Sequence, residues 1–220
     1  MPRPLIGLTP SLDLIDGRVS ARVNTSYLDM VVAAGGLPVV LAPDPALADD
    51  YCAQLDGILL TGGPDIDTRP FGVPLHPQAG VMDPRRQTFD FAMLAALDRA
   101  RHRAALGICL GMQEIGVHAG CPLIQHLHDQ LPSAAEHGHD NTHLVRSIFG
   151  DGPVASWHHQ AIAAPGRLEV VATSHDGVIE GLRDPTRPFY VGVQWHPERT
   201  ADPTMGLGVV RTFIEAARRS

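Results

Sequence analysis

The chain has 220 residues, of which 44% are hydrophobic and 19% charged, so it is long enough for one sizeable core or two small ones. Its formal net charge of −7 argues against a nucleic-acid binder. None of its 17 basic residues is a lysine, which excludes a lysine nucleophile. No apolar run approaches the roughly 20 residues of a membrane-spanning helix, and the first residues do not form a signal peptide, so we expect a cytoplasmic protein without a membrane partner.

Short apolar stretches that end at proline or glycine predict strands in the first half of the chain. These stretches are PLIGLTP, LPVVLAP and LDGILLTGGPD. Between the first two, NTSYLDMVVAAGG has apolar residues at helical spacing and ends on two glycines, which predicts a helix. After the third, Asp83 and Pro84 suit the cap and first position of a helix that carries Phe89, Met93 and Leu97 on one face.

The second half of the chain continues the alternation. The predicted strands are AALGIC, HLVRSIF, ASWHHQAI, RLEVVATS and FYVGVQWHPE, and helices are predicted over residues 110–119 and 205–218. Continuous apolar strands that alternate with helices are typical of a parallel sheet covered on both faces. Because neither a linker nor a repeat interrupts this pattern, we expect one domain over residues 1–220.

Sites in such sheets lie at the carboxyl ends of the strands, and Cys109 is at the end of a predicted strand. It stands between Gly107 and Gly111, and small residues on both sides are what a sharp strand-to-helix turn requires. At such a turn the helix N-terminus favours the thiolate, and the backbone N–H of Leu110 can face a developing oxyanion. A core cysteine beside incidental glycines is the alternative interpretation.

The stretches VGVQWHPERT and LLTGGPD supply candidate partners for Cys109. Proline keeps the preceding His196 extended, and extended residues two apart point to the same side. His196 and Glu198 therefore suit a base and the carboxylate that orients it. The glycines Gly62 and Gly63 let backbone N–H groups approach a ligand, and Gly63 can give a second oxyanion donor. An ordinary turn is the alternative for both stretches.

The motifs GGPD, GICLGMQ and WHPE, in this order, resemble those of the class I glutamine amidotransferase-like superfamily. The segments NTSYLDMVVAAGGLPVVLAP, DPRRQTFDFAMLAALDRA, SWHHQAI, HDGVIEG and VGVQWHPE are similar to the γ-glutamyl-γ-aminobutyrate hydrolase family and cover most of the chain. The resemblance implies a flavodoxin-like α/β fold with a mostly parallel central sheet and helices on both faces. It implies a triad of Cys109, His196 and Glu198, with an oxyanion hole formed by the N–H groups of Gly63 and Leu110.

The resemblance also implies a pocket for the glutamyl part of a substrate. The expected substrate contacts are Gly62, Gln113, Trp157 and His158. Two departures from the hydrolase family lie near this pocket. Leu110 stands where the family usually has arginine, and the segment over residues 126–156 is shorter than in typical members. Both bear on which amine leaves.

The predicted reaction is hydrolysis of a γ-glutamyl amide by a cysteine-dependent enzyme, through a γ-glutamyl thioester, with release of glutamate and an amine. One alternative is a glutaminase subunit that delivers ammonia from glutamine to a partner synthetase. Another is a non-catalytic binding or regulatory relative. The expected partner is a small molecule and not a nucleic acid, no cofactor is expected, and a homodimer is compatible with the sequence.

Histidines in a polar stretch raise the question of a metal site. They are His126, His128, His137, His139 and His143. The stretch has neither the cysteines nor the helix-spaced HExxH pattern of zinc peptidases, so we expect a mobile loop and no functional metal. His158 and His159 belong to a segment that matches the family near the active site, which favours a pocket-lining role. Cys52 and Cys121 are expected to be packing residues.

Overall fold

The computed structural model describes residues 2–138 and 141–219. Its strands are β1 (Leu5–Leu8), β2 (Ser11–Ile15), β3 (Arg18–Arg22), β4 (Leu37–Val40), β5 (Gly57–Leu60), β6 (Ala104–Ile108), β7 (Leu123–Ile124), β8 (Asn141–Ser147), β9 (Gly150–Ser156), β10 (Ala161–Ile162), β11 (Glu169–Ser174), β12 (Ile179–Arg183) and β13 (Tyr190–Val193). Its α-helices are α1 (Thr25–Ala33), α2 (Ala48–Gln54), α3 (Pro84–Arg99), α4 (Leu110–His118) and α5 (Val209–Ala217).

Nine of these strands form a central sheet in the order β4-β1-β5-β6-β13-β12-β11-β8-β9. The strands from β4 to β13 pair in parallel. The strands from β12 to β9 extend the sheet in antiparallel pairs. The short connections β8–β9 and β11–β12 leave no room for a crossover helix, so these strands must run antiparallel. The predicted α/β fold is confirmed, although the sheet is parallel in one half and antiparallel in the other.

The helices cover both faces of the parallel half. Successive strand residues point to opposite faces, and in β5 this places Leu59 in the core with α1 and α5. Its neighbours Ile58 and Leu60 pack in a second core with α2, α3 and α4. Burying each such side chain contributes about 2 kcal/mol, so the two cores fix the strand ends from both sides.

Helices α1 and α3 begin where the sequence indicates. Asn24 caps α1 and Asp83 caps α3, and each side chain accepts a hydrogen bond from the N–H two residues ahead, at 3.1 and 2.8 Å. The predicted last helix is interrupted, because residues 204–208 form a wider helical turn kinked at Gly206 (φ −93°, ψ −105°). The regular helix α5 therefore starts only at Val209.

Several elements differ from the sequence prediction. The hairpin of β2 and β3 was not predicted, although its turn residues Asp16 and Gly17 both have positive φ (50° and 74°), as a two-residue hairpin turn requires. The helix α2 was not predicted either. The segment ASWHHQAI divides into β9 and β10 around a loop over residues 157–160. Among the described residues, no helix combines the length and apolar character needed to cross a bilayer.

Candidate active site

Cys109 lies on the turn between β6 and α4, at the carboxyl end of a parallel strand. Its backbone angles, φ 52° and ψ −102°, are ones that a residue with a side chain rarely adopts. The N–H of Cys109 donates to the carbonyl of Val193 in β13 at 2.8 Å, which ties the turn to the neighbouring strand. A strained residue held in this way projects its side chain above the sheet edge.

The flanking glycines are a steric requirement of this turn. A Cβ atom at Gly107 would lie 2.5 Å from the carbonyl carbon of Gly111. A Cβ atom at Gly111 would collide with the carbonyl oxygen of Leu60 in β5. Neither position has room for a side chain, so the two glycines allow α4 to start directly against β5 and β6.

His196 and Glu198 follow β13, the strand next to β6. The Nδ1 atom of His196 lies 2.7 Å from Oε1 of Glu198, so the two side chains do point to the same side. His196 is extended (φ −104°, ψ 90°), as expected before proline. The imidazole of His196 also lies next to Cys109, since a Cβ atom built at Gly62 would be 3.1 Å from Cε1 of His196 and 3.7 Å from Cβ of Cys109. The structure thus brings together the three side chains predicted as a triad.

The charge state of His196 is set by its two partners. Burial disfavours the imidazolium, but the negative charge of the Cys109 thiolate and the hydrogen bonds to Cys109 and Glu198 outweigh it and raise the pKa of His196 to about 10. At neutral pH the imidazole therefore carries a proton while it faces the cysteine. A thiolate paired with an imidazolium is a nucleophile beside an acid.

The sulfur of Cys109 has a further neighbour that the sequence prediction missed. Gln194 Nε2 lies 3.6 Å from the Sγ atom and donates toward it, while Gln194 Oε1 accepts from Gln113 Nε2 at 3.2 Å. The carbonyl oxygen of Trp157 lies 3.8 Å from the same sulfur. Gln194 directly precedes the Trp-His-Pro-Glu motif, and this adjacency was the signal that could have found it.

Two backbone N–H groups remain available next to Cys109. Those of Gly63 and Leu110 form no hydrogen bond with the rest of the described chain. Gly63 lines the same pocket as Cys109, and Leu110 follows Cys109 directly. The N–H of Gly62 is instead committed, because it donates to the hydroxyl of Tyr27 at 3.1 Å. Tyr27 was predicted only as an apolar position of α1.

A buried arginine fixes the loop that carries these glycines. The guanidinium of Arg86 donates to the carbonyl oxygens of Thr61 and Gly62 at 3.0 and 3.1 Å and pairs with Asp90 at 3.1 Å. The side chain of Arg86 is 1% exposed. A Cβ atom at Gly63 would collide with it. Because the carbonyl and the N–H of a trans peptide point to opposite sides, the N–H of Gly63 points away from the guanidinium that binds the carbonyl of Gly62.

A pocket of about 330 Å³ opens over Cys109. Its lining residues are Gly63, Pro64, Asp65, Gln78, Gly80, Cys109, Gln113, Trp157, His158, His159 and Gln160. Of the predicted substrate contacts, Gln113, Trp157 and His158 line this pocket. Gly62 lines the neighbouring depression instead, with Tyr27 and Thr61. Both ring nitrogens of His158 face protein groups, so its substrate contact stays a prediction.

The mouth of the pocket carries a pair of charged side chains. His159 Nε2 lies 3.0 Å from both carboxylate oxygens of Asp65. This hydrogen bond raises the pKa of His159 against the opposing effect of burial, so a cation is favoured there. Trp157 lines the same pocket and is 53% exposed, and the guanidinium of Arg199 lies 5.1 Å from its ring centroid. Asp65, Trp157 and His159 thus line the same pocket as Cys109.

The sequence of this chain matches a known protein family. The family model described as peptidase C26 matches residues 4–198. The chain belongs to the peptidase C26 family. This peptidase C26 member is 34% identical to a putative glutamine amidotransferase of Mycobacterium tuberculosis, over 98% of this chain and 75% of that protein. It is 30% identical to the gamma-glutamyl-gamma-aminobutyrate hydrolase PuuD of Escherichia coli, over 90% of this chain and 87% of that protein.

A solved structure shares the fold. A protein from Thermoplasma acidophilum, described as a putative GMP synthase subunit, matches with a TM-score of 0.67, over 100% of this chain and 96% of its own. Their sequences are 18% identical, so this likeness concerns the fold alone. The predicted resemblance to the class I glutamine amidotransferase-like superfamily and to γ-glutamyl-γ-aminobutyrate hydrolases is confirmed by the family and sequence matches.

The histidines of this peptidase C26 member are arranged differently from the sequence prediction. His137 and His143, expected in a mobile loop, are buried beside Glu180 together with His158. His128 lies in a short 3-10 helix, Leu127–Asp129, and His126 directly precedes it, with the two rings stacked at centroids 5.1 Å apart. His139 lies outside the described residues. No local pattern indicated the buried cluster, because Glu180 belongs to a distant strand.

Proposed function

We propose that this protein hydrolyses γ-glutamyl amides through a γ-glutamyl thioester on Cys109 and releases glutamate and an amine. One observation carries the proposal: Cys109 sits on a strained strand-to-helix turn, next to a histidine that Glu198 holds at 2.7 Å. The substrate class is supported by the relatives named as gamma-glutamyl-gamma-aminobutyrate hydrolases. The roles of the individual residues follow from chemistry.

The first half of the reaction forms the thioester. The thiolate of Cys109 attacks the γ-carbonyl carbon, a carbon–sulfur bond forms, and the carbonyl electron pair moves onto oxygen. When the carbonyl re-forms, the carbon–nitrogen bond breaks and the imidazolium of His196 gives its proton to the departing nitrogen. Glu198 keeps Nδ1 hydrogen-bonded, so the proton is transferred from the ring edge that faces Cys109.

The second half regenerates the enzyme. Neutral His196 now accepts a proton from a water molecule, and the water oxygen attacks the thioester carbon. The carbon–sulfur bond then breaks, the thiolate leaves beside the protonated imidazole, and glutamate is released with its new carboxyl group. Both halves together therefore end with the ion pair of Cys109 and His196 restored.

The negative oxygen of both tetrahedral intermediates needs donors that are in place before the reaction. The N–H groups of Gly63 and Leu110 fit this role, because no other described group uses them and both adjoin Cys109. One such donor is worth about 100- to 1000-fold in rate. Arg86 contributes indirectly by fixing the carbonyl oxygens of Thr61 and Gly62.

A second candidate function is that of a glutaminase that passes ammonia to a partner synthetase. Leu110, which departs from the hydrolase pattern, and the name of the mycobacterial relative favour it. The chemistry at Cys109 is the same in both, so geometry at the triad does not separate them. The unused N–H groups support the hydrolase, since a finished oxyanion hole needs no partner to complete it.

The decisive experiment is a turnover screen of the purified chain without ATP or a second protein. The panel contains γ-glutamyl-γ-aminobutyrate, γ-glutamyl derivatives of other amines, and free glutamine, with glutamate release as the readout. We expect a γ-glutamyl amine to have the highest kcat/KM, because a larger leaving amine has more binding energy to use in the transition state. The variant Cys109→Ser gives the background. Glutamine as best substrate, with turnover that rises only when a synthetase is added, would favour the glutaminase.

A further inference from the structure

A second cluster of polar side chains lies beneath the wall of the pocket. It joins three parts of the chain: His137 before β8, His158 in the loop after β9, and Glu180 in β12. All three side chains are at most 1% exposed. None of them has a role in the proposed reaction. Buried ionisable groups that no chemistry requires call for a physical explanation.

In their neutral forms, the two imidazoles direct lone pairs toward each other. His158 Nδ1 lies 2.8 Å from the carbonyl oxygen of Gln160, which can only accept, so in a neutral ring the proton sits on Nδ1 and Nε2 keeps a lone pair. His137 Nε2 lies 3.0 Å from a carboxylate oxygen of Asp176, which places the proton on Nε2 and the lone pair on Nδ1. These lone-pair atoms, His137 Nδ1 and His158 Nε2, are 3.3 Å apart.

The carboxylate of Glu180 completes a triangle with these nitrogens. Its Oε1 atom lies 3.3 Å from His137 Nδ1 and 3.5 Å from His158 Nε2. Neither carboxylate oxygen of Glu180 has a hydrogen bond of acceptable geometry within the described part of the chain. Three electron-pair donors that face one point without hydrogen bonds repel one another unless a cation lies between them.

The dimensions of the triangle fit a small tetrahedral cation. A tetrahedral ion with bonds of about 2.05 Å to nitrogen and oxygen holds its ligand atoms about 3.3 Å apart. The observed separations are 3.3, 3.3 and 3.5 Å. We propose that His137 Nδ1, His158 Nε2 and Glu180 Oε1 bind a divalent transition metal ion of the Zn²⁺ class. This site differs from the sequence expectation that no functional metal is present.

The surroundings of the triangle resemble those of known zinc ligands. Metal-binding histidines usually donate their second N–H to a carboxylate or a backbone carbonyl, and here His137 does the former and His158 the latter. Asp176 is held in turn by the hydroxyl of Ser133 at 2.6 Å. His143 Nε2 lies 3.2 Å from the same Glu180 oxygen and is a candidate fourth ligand.

The location of the ion gives it a structural role. Trp157, whose carbonyl oxygen lies 3.8 Å from the sulfur of Cys109, immediately precedes His158. The N–H of His158 also donates to the carbonyl of His137 at 2.8 Å. An ion bound here would therefore tie the loop over residues 157–160 to β12 and hold the pocket wall in place. No step of the proposed hydrolysis passes through it.

The direct test is metal analysis of the untagged full chain, expressed with added zinc. We expect about one zinc ion per chain after dialysis, as for a structural site with three or four protein ligands. Glu180→Gln and His137→Gln should each lose most of this metal. His102→Gln, at an exposed histidine in the turn between α3 and β6, is the matched control and should keep it. Cys109→Ser should also keep it, which excludes zinc held by the reactive thiol.

A second measurement does not depend on the variants folding. Wild-type protein stripped with a chelator should unfold at a lower temperature and recover on addition of Zn²⁺, because an ion that binds only the folded state stabilises it. Co²⁺ in place of Zn²⁺ should give the visible absorption of a tetrahedral site. If Zn²⁺ and Co²⁺ did not change the unfolding temperature of the metal-free wild-type protein, the proposal would be overturned. A proton between the side chains would then account for the cluster. Metal that persists in both ligand variants would place the ion elsewhere. Neither outcome depends on catalytic activity.

Discussion

The two halves of the central sheet each organise a polar cluster, and the clusters are built in opposite ways. In the parallel half, Cys109 and His196 follow adjacent strand ends, and the backbone is strained at Cys109 and leaves N–H groups unused. In the antiparallel half, Glu180 is enclosed by His137, His143 and His158, none of which has a positive φ, and its oxygens are fully buried. The first arrangement leaves room for a molecule to react, and the second leaves room only for an ion.

Because of this difference, we expect the cluster around Cys109 to determine activity and the cluster around Glu180 to determine stability. Strain and unused donors at Cys109 raise the free energy of the folded state and are useful only when a substrate arrives. Facing lone pairs around Glu180 gain from a bound cation before any substrate is present. Substitutions in the two clusters should therefore have contrasting effects on turnover and on unfolding.

The largest expected effect is on turnover in the parallel half. Cys109→Ser and His196→Ala should each lower kcat/KM by at least about 1000-fold, because members of a catalytic unit fail together. Glu198→Gln should keep more activity, since Glu198 only orients and stabilises the imidazole. The unfolding temperature of Cys109→Ser should stay near that of the wild type. A fully active Cys109→Ser protein would remove the nucleophile from the proposal.

The reactivity of the three thiols allows Cys109 to be compared with Cys52 and Cys121 in the same molecule. Burial raises the pKa of Cys52 to about 11 and also raises that of Cys121, so both are protonated at neutral pH. Cys109 faces a protonated imidazole instead. Limiting iodoacetamide at neutral pH, followed by peptide mass mapping, should label Cys109 first, in step with loss of activity. Preferential labelling of Cys52 or Cys121 with activity intact would contradict the assignment.

The antiparallel half should respond to substitution through stability. Glu180→Gln removes the negative charge that faces three buried imidazoles, and breaking such a buried charged contact costs about 3 kcal/mol. We expect calorimetry to give a lower unfolding temperature for this variant. Below that temperature the folded variant should still hydrolyse the γ-glutamyl amide at a measurable rate. His102→Gln is the control for an exposed histidine. An unfolding temperature unchanged by Glu180→Gln would show that the cluster does not hold the pocket wall.

The sequence predicted the candidate site in the parallel half because its information is local. The glycines around Cys109 and the proline after His196 determine backbone shape within a few residues, and the contact of His196 with Glu198 follows from extended geometry. Arg86 was missed because a buried arginine on a helix looks like a solvent-exposed one until the loop of Gly62 is known. Its only local signal was the pair with Asp90 four residues later.

The histidine cluster could not be predicted because its information is not local. His137, His158 and Glu180 come from three segments that meet only through pairing of the antiparallel strands. The sequence indicated most of those strands but neither their order nor the bend after β9. A prediction based on ligand spacing along the chain, such as HExxH, therefore finds nothing where the ligands come together in space.

The smallest expected effect concerns the protonation of His196. Burial lowers its pKa, but the charge of Cys109 and the hydrogen bonds to Cys109 and Glu198 raise it to about 10. The imidazolium that protonates the leaving amine is therefore present below pH 10 and is lost above it. We expect kcat/KM to fall on the alkaline side with an apparent pKa of about 10, which belongs to the pair of Cys109 and His196.

Removing the negative charge of Glu198 should lower the apparent pKa of the alkaline fall in kcat/KM. In Glu198→Gln the carboxylate no longer favours the imidazolium, so the alkaline fall should shift to lower pH by about one unit. Glu215→Gln makes the same chemical change at an exposed position of α5 and should leave the profile unchanged. The measurement is kcat/KM for the best γ-glutamyl amine between about pH 6 and about pH 11, the interval that spans the ordinary and raised imidazole values. A wild-type profile that rises with pH through about 6.5, the ordinary value for histidine, would mean that His196 acts as a neutral base rather than as half of an ion pair.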